Sequence, residues 1–293
     1  MDALIIKACL NGGRGREQNP NVPWTPEEIA AEAKRCHEAG AAAVHFHART
    51  PQGGASYDTA WYARADALIR ERCPIITNHT TARSWETPIE SVLAYLRDTP
   101  EPVDMVSLNM GHMVSARKDP STGKRRTVTS PNAYEEIAAV LDICYQRGTL
   151  AEPAVFDLGY LNNAITMVND GVLKHTHYFL VEVLGEWGGG QQKAPGTPRH
   201  YQQLTQAIRE FFPSAIWIGH STGERSLQMA AYVIADGAHL RIGFEDWPLL
   251  PGRVPASNAD MVAWAVKIAR ALGREPATPE EARKALRIPL KVA

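Results

Sequence analysis

Short apolar runs alternate along this chain with longer segments in which apolar residues recur every three or four positions. The runs predict strands over Leu4–Leu10, Ala42–His47, Pro74–His79, Met105–Leu108, Ala154–Phe156, Tyr178–Leu184, Ala215–Ile218 and His239–Ile242. The longer period predicts helices over Thr25–Ala39, Asp58–Arg72, Thr87–Arg97, Asn132–Gln146, Asn162–Asp170, Pro198–Phe211, Ser226–Ala235 and Asn258–Leu272. The first helix is the best marked. Thr25 is placed to cap it, Pro26 sits at its first position, Glu28 completes a capping box and Gly40 ends it. Strict alternation of strand and helix implies parallel strands joined by right-handed crossovers, and eight such units close most naturally into a (β/α)8 TIM-type barrel. An open, doubly wound sheet is the alternative. No Pro- or Gly-rich linker divides the chain and no repeat beyond the strand–helix period is visible, so residues 1–293 read as one barrel domain. The closing stretch TPEEARKAL, from Thr278, repeats the Thr-Pro-Glu-Glu helix start and reads as a C-terminal helical extension on the outside.

Composition narrows the function more than the fold. A hydrophobic content of 44% with 22% charged residues describes a soluble globular protein, and no stretch approaches the ~20 apolar residues of a membrane span. The 31 basic and 32 acidic residues leave a formal net charge of −1, which provides no field to attract nucleic acid. A small or medium-sized ligand is expected instead. The first residues, MDALIIKACLNGG, read as a buried strand rather than a signal peptide, and a cytoplasmic location follows as the default. Cys9, Cys36, Cys73 and Cys144 lack metal or redox spacing and read as reduced, mostly core residues.

The candidate chemistry gathers where the strands end. In AAAVHFHART, strand geometry turns His45 and His47 to one face and Phe46 to the other, which makes half of a metal site. A lone His-x-His is more often structural, so the other strand ends decide its meaning. They carry Asn11, Asn78 with Thr80, Asn109, Asp157, Glu186, His220 with Ser221, and Arg241 to Asp246. Packing alone does not explain a polar ring at one barrel mouth. Glu245, just past the eighth strand, completes a His2Glu set with an open position, the ligand set of a catalytic zinc; taken alone it reads as a surface carboxylate paired with a Lys or Arg, and the His pair at the same barrel mouth puts the metal site ahead. A second pair, His175 and His177, opens the sixth strand, at the opposite end of a barrel, and reads as structural. Two long connections follow strands, and loops there build a barrel's active face. Ser115–Pro131 is rich in Lys and Arg, either a solvated face or a holder of cofactor phosphates, and Gly185–Thr197 carries Gly188, Gly189 and Gly190, where backbone can approach a ligand closely.

The chain resembles the β-keto acid cleavage enzymes. The likeness runs through Asn21-Val22-Pro23 with TPEEIAAEAKRCHEAGA, then VHFHAR, SLNMG, VFDLG, the VLG with its glycine loop, HLRIGFED, SNADMV and ATPEEAR. The resemblance implies a barrel, usually tetrameric, with zinc held by His45, His47 and Glu245. It also implies the reaction, in which a β-keto acid and acetyl-coenzyme A become acetoacetate and a new acyl-coenzyme A. Zinc would bind the keto acid and stabilise its enolate. Asp246 would remove or relay the C2 proton, Arg241 would orient it, and the Thr80 hydroxyl would hold the substrate carboxylate or an oxyanion. Asn109, Gly111 and Asp157 would line the substrate pocket.

The departures bear on the substrate. Where the family member that cleaves an amino-substituted keto acid has a Glu after its first strand, this chain has Gly13 and Arg14; where that enzyme has a second Glu, this chain has Ala154. The family's two glycines after a Ser-Thr pair are Ala82 and Arg83. Arg14 and Arg83 therefore point to a substrate with a neutral or anionic far end, such as a β-keto diacid bound by guanidinium forks. Trp85, Trp187 and Trp247 offer the competing arrangement, an aromatic cage for a quaternary ammonium. Two other functions remain open: a metal-dependent barrel hydrolase with His220 as an extra ligand, and a non-catalytic acyl-coenzyme A or metal-binding homologue.

Overall fold

A computed structural model describes residues 3–119, 122–183 and 195–288. Its strands are β1 (Ile6–Cys9), β2 (Ala43–Phe46), β3 (Ile76–His79), β4 (Met105–Asn109), β5 (Met113–Lys118), β6 (Arg125–Ser130), β7 (Leu150–Val155), β8 (Tyr178–Val183), β9 (Ile216–Ser221), β10 (His239–Ile242), β11 (Leu249–Leu250) and β12 (Val254–Pro255). The helices are α1 (Pro26–Glu38), α2 (Thr59–Arg72), α3 (Ile89–Asp98), α4 (Tyr134–Arg147), α5 (Leu158–Asn169), α6 (Pro198–Phe211), α7 (Ser226–Ala235), α8 (Asn258–Ala271) and α9 (Pro279–Leu286). Eight of the strands close a barrel in the order β1-β2-β3-β4-β7-β8-β9-β10, and β10 returns to pair in parallel with β1. The expected TIM-type barrel is thus the fold. Among the described residues no helix is long and apolar enough to cross a membrane.

Local signals place most of these elements. Thr25 accepts from the Glu28 amide and Glu28 accepts from the Thr25 amide, while Gly40 takes the positive φ of 112° that lets the chain leave α1. The barrel's outer layer then buries the apolar stripe of each helix, as with Ile29, Ala33 and Cys36 of α1.

Several elements differ from the sequence expectation. The basic stretch Ser115–Pro131 is not a plain loop: it forms most of the antiparallel β5–β6 hairpin outside the barrel, and its register sets Arg117 opposite Arg126 and Lys118 opposite Arg125. Arg125 to Thr127 of β6 are exposed, and an exposed ribbon needs no apolar alternation, so the pattern carries no strand signal there. The fifth barrel strand starts at Leu150, not Ala154. Glu152 and Pro153 disguise it, the first because it faces the barrel interior, the second because proline is rare in a central strand. The next helix starts at Leu158, four residues before the expected Asn162, with Asp157 accepting from the Tyr160 amide at 2.9 Å as its N-cap.

The C-terminal extension lies at the N-terminal end of the barrel. Arg283 of α9 donates two hydrogen bonds of 2.8 Å to Asp104, just before β4, and His177 bonds the Leu286 carbonyl at 2.9 Å. The pair His175 and His177 is therefore at the stabilising end, with His175 edge-on to Tyr145. Cys9, Cys36, Cys73 and Cys144 are all buried and unbridged.

Candidate active site

The C-terminal ends of β2 and β10 bring together three ligating side chains. His45 faces into the barrel from β2, in register with Cys9 of β1 and Asn78 of β3. His47 follows the strand, and Asn11 fixes its backbone by accepting from the His47 amide and donating to its carbonyl, both at 2.9 Å. Glu245 comes from the turn after β10. There the Asn258 side chain accepts from the Phe244 amide at 2.8 Å and donates to the Leu10 carbonyl at 3.1 Å, which ties the head of α8 to both strand ends. His45 Nε2 lies 3.1 Å from His47 Nε2 and 3.3 Å from Glu245 Oε2, while His47 Nε2 lies 3.5 Å from Glu245 Oε1. Among the described residues this is the one group of three or more such ligands.

A metal ion fits these donors. A tetrahedral zinc with bonds of about 2.0–2.1 Å sets its ligand atoms about 3.3 Å apart, which is the spacing present. Glu245 Oε2 is buried with no hydrogen-bond partner, a costly state for a carboxylate oxygen unless a cation meets it. The His45 tautomer is fixed from behind. Its Nδ1 donates to Asn78 Oδ1 at 2.7 Å, so Nε2 presents a lone pair to the group. The Asn78 amide is itself oriented because Nδ2 donates to Glu152 at 3.2 Å, and Glu152 is held by Lys7 at 2.6 Å and by the Tyr178 hydroxyl. Burial pushes the His45 imidazole well below its usual range, which keeps it neutral and ligand-ready. Burial would raise the Glu245 pKa, but Arg241 and the two histidines outweigh it and hold the carboxyl well below the ordinary value.

Next to this group stands a buried charge network. Arg241 Nη2 is 2.9 Å from both Glu245 and Asp246, and its Nε is 3.2 Å from Asp246 Oδ2. Against burial, Arg241 and then His220 lower the Asp246 pKa. His220 of β9 is not a further ligand of the histidine pair: its Nδ1 faces Asp246 Oδ1 at 3.1 Å and its Nε2 faces Glu182 Oε2 at 3.4 Å. The geometry therefore does not supply the extra ligand that a barrel hydrolase would take from His220.

The other expected site residues divide. Thr80 is buried, and its Oγ1 accepts from the Ala82 amide at 3.0 Å, leaving the hydroxyl proton to donate. Asn109 ends β4 at the mouth, partly exposed. Gly111 and Asp157 share a cleft of about 370 Å³ with Tyr160, whose ring would lie 3.5 Å from a Cβ at Gly111. Arg14 does not present a free fork: its Nε donates to the carbonyls of Phe244 and Glu245 at 3.0 and 3.2 Å, and Nη2 to that of Asp246 at 2.8 Å. Arg49, the last residue of VHFHAR, in turn donates to the carbonyls of Gly12 and Arg14 at 3.0 Å. Arg83 is paired with Glu136 and donates to the Thr87 carbonyl at 2.8 Å. Trp85 is 67% exposed, and Glu186, Trp187 and the three glycines Gly188, Gly189 and Gly190 lie outside the described residues. Sequence reasoning missed Lys7, Glu152 and Glu182. The available signal was a charged residue at an inward position of an otherwise apolar strand.

A closed parallel barrel with its polar groups at the C-terminal mouth defines the class of TIM-barrel enzymes. The solved structure of ObcA with oxaloacetate superposes with a TM-score of 0.76 at 18% identity, covering 92% of this chain and 68% of that one, so the chain spans about two-thirds of the length of ObcA. Residues 3–288 match the family profile described as beta-keto acid cleavage enzyme. A 3-keto-5-aminohexanoate cleavage enzyme from Fusobacterium nucleatum is 32% identical over 98% of both chains. A 3,5-dioxohexanoate:acetyl-CoA acetone transferase from Paraburkholderia graminis is 28% identical over 97% of this chain and 96% of that one. The chain belongs to the β-keto acid cleavage enzyme family, and it is an enzyme of that type.

Proposed function

We propose that this protein transfers an acyl group between a β-keto acid and acetyl-coenzyme A, giving acetoacetate and a new acyl-coenzyme A, with zinc held by His45, His47 and Glu245. The observation that carries this reading is the convergence of those three side chains, with one Glu245 oxygen buried and without a hydrogen bond, beside the Arg241–Asp246 pair. Zinc at that place supplies Lewis acidity for the negative charge that develops when C2 of the keto acid is deprotonated. Asp246 accepts or relays the C2 proton. Its Oδ1 faces both Arg241 Nη2 and His220, whereas Oδ2 has the single contact from Arg241 Nε, so Oδ2 is the freer acceptor. The C2 carbanion attacks the thioester carbonyl and expels coenzyme A as its thiolate; the thiolate adds to the original keto carbon, C3, and cleavage of the C2–C3 bond leaves the new acyl-coenzyme A and the enolate of acetoacetate, which takes back the proton accepted by Asp246. Thr80, whose hydroxyl proton is available, holds the substrate carboxylate, and Asn109, Gly111 and Asp157 line the approach.

Each of the three arginines Arg14, Arg83 and Arg241 is engaged by protein acceptors, which supports a neutral far end on the substrate over a second carboxylate. Arg14 then acts on the site through the backbone of Phe244 to Asp246. Its replacement by Ala is expected to lower metal affinity or kcat by about 10- to 100-fold with the keto-acid KM little changed. A raised KM at constant kcat in steady-state assays would return Arg14 to the substrate. The protein is further read as a cytoplasmic homo-tetramer, in keeping with its four buried free thiols and with the resemblance; light scattering on the purified protein tests the tetramer.

The test of the function is mass spectrometry of zinc-loaded protein with acetyl-coenzyme A and a panel of cationic, neutral and anionic β-keto acids. A new acyl-coenzyme A together with acetoacetate is expected, most strongly with a neutral acid. Product formed without acetyl-coenzyme A would favour hydrolysis, and binding with no turnover over the whole panel would favour a non-catalytic homologue.

A further inference from the structure

His220 has no part in the mechanism above, yet it is 1% exposed and its ring lies between two carboxylates on different strands. Nδ1 is 3.1 Å from Asp246 Oδ1, and Nε2 is 3.4 Å from Glu182 Oε2 of β8. Both nitrogens thus lie within ion-pair range of a carboxylate, the Asp246 contact being the closer. A neutral imidazole has one bare nitrogen, and in this place that nitrogen's lone pair would face a carboxylate whichever tautomer formed. Only the imidazolium gives each carboxylate a proton to face.

The charged groups around the ring are Glu182 on β8, Asp246 after β10 and Arg241 on β10. Burial disfavours charge on the imidazole; Asp246, opposed by Arg241 and helped by Glu182, outweighs it, and the pKa is raised.

We propose that His220 is a positioning residue for the reaction: an imidazolium bridging Glu182 and Asp246 that, opposite Arg241, fixes the Asp246 carboxylate in one orientation beside the metal group. Arg241 grips Asp246 along the edge formed by Oδ1 and Oδ2, and His220 approaches Oδ1 from β9. Two cations from two strands stop the carboxylate from rotating about its Cβ–Cγ bond and leave Oδ2 aimed at one place. Glu182 supplies the counter-charge that keeps the proton on Nε2. The role rests on the reading of Asp246 as the group that accepts or relays the C2 proton.

The experiment separates proton transfer from the rest of the cycle. Zinc-loaded protein is incubated in D2O with a β-keto acid accepted in the substrate panel, without acetyl-coenzyme A, and C2 deuteration is followed by NMR beside metal content and keto-acid affinity. His220→Ala is expected to slow exchange by about 100-fold, the scale of a misplaced catalytic group, with metal content and affinity unchanged. His220→Asn, which keeps a donor near the Nδ1 position, is expected to recover about 10-fold of that loss, on the scale of one hydrogen bond to a charged group. Exchange at the wild-type rate in His220→Ala would overturn the proposal. So would equal, unrescued losses in both variants together with loss of metal, which mark a structural role. The second measurement needs no variant to fold: nitrogen chemical shifts of 15N-histidine-labelled wild-type protein at pH 7.5. A buried histidine with both nitrogens protonated, which becomes singly protonated in Glu182→Gln, is expected; a histidine set containing no such imidazolium would refute the bridge. If wild-type protein exchanges no keto acid at all, the proposed function fails, and these shifts still decide whether the imidazolium exists.

Discussion

Replacing His45 with Ala is expected to strip the proposed zinc from the protein and reduce kcat/KM by more than about 10³-fold, since Lewis-acid stabilisation would contribute several kcal/mol to such a transition state. The size follows from how few groups make the site. His45 Nε2 is the ligand atom nearest both of the others, at 3.1 Å from His47 and 3.3 Å from Glu245, and its ring is the one held from behind by Asn78. Without it a His and a Glu remain, too few ligands to hold zinc against competing water. Metal content by elemental analysis and steady-state kinetics of the same preparation check the result. His175→Ala is the internal control, because that side chain lies at the other end of the barrel against Tyr145 and should leave metal and activity in place. A His45→Ala protein with one equivalent of zinc and normal turnover would remove the metal from the site assignment altogether.

Gly243→Ala is expected to cost about 3 kcal/mol or more of stability and to lose metal with it. Gly243 has a φ of 149°, a region that residues with a Cβ rarely adopt, and an added Cβ would lie 2.4 Å from the Cys9 carbonyl oxygen and 2.7 Å from the Cys9 nitrogen. Those atoms are barrel backbone and have no rotamer to change. The turn that begins there presents Glu245 and Asp246: the Asp246 and Trp247 amides both donate to the Gly243 carbonyl at 3.0 Å, and the Glu245 amide donates to Cys9 at 3.2 Å. Relief of the clash must therefore move the carboxylates away from His45 and His47. Denaturant melts and metal content test this, and an unchanged midpoint with full metal would show that the backbone accommodates a side chain there.

These two positions also mark what could be read along the chain. His45 and His47 were legible because a strand's two-residue period sets both on one face whatever the rest of the barrel does. Glu245 was legible as a carboxylate past the last strand, and eight alternating units put that end at the same mouth. Gly243 and Asn258 stood inside recognisable motifs, but the contact of Gly243 with Cys9 and the hydrogen bonds that the Asn258 side chain accepts from the Phe244 amide and donates to the Leu10 carbonyl exist only once β10 lies beside β1. Arg14 and Arg83 show the limit most clearly. Their charge suggested anion binding, and it is directed instead at main-chain carbonyls and at Glu136.

What the sequence determined alone is local or periodic: the capped first helix, the alternation of strand and helix, the shared face of His45 and His47, and the placing of polar residues at strand ends. Each depends on spacings of a few residues, which chain geometry sets without distant partners. Only the tertiary structure decided how the charges pair: Lys7 with Glu152, Glu152 through Asn78 to His45, and His220 between Glu182 and Asp246. Those partners lie on different strands, far apart in the chain, and a buried charge is stabilised by whichever group barrel closure brings within about 3 Å. Residue type alone leaves that choice open.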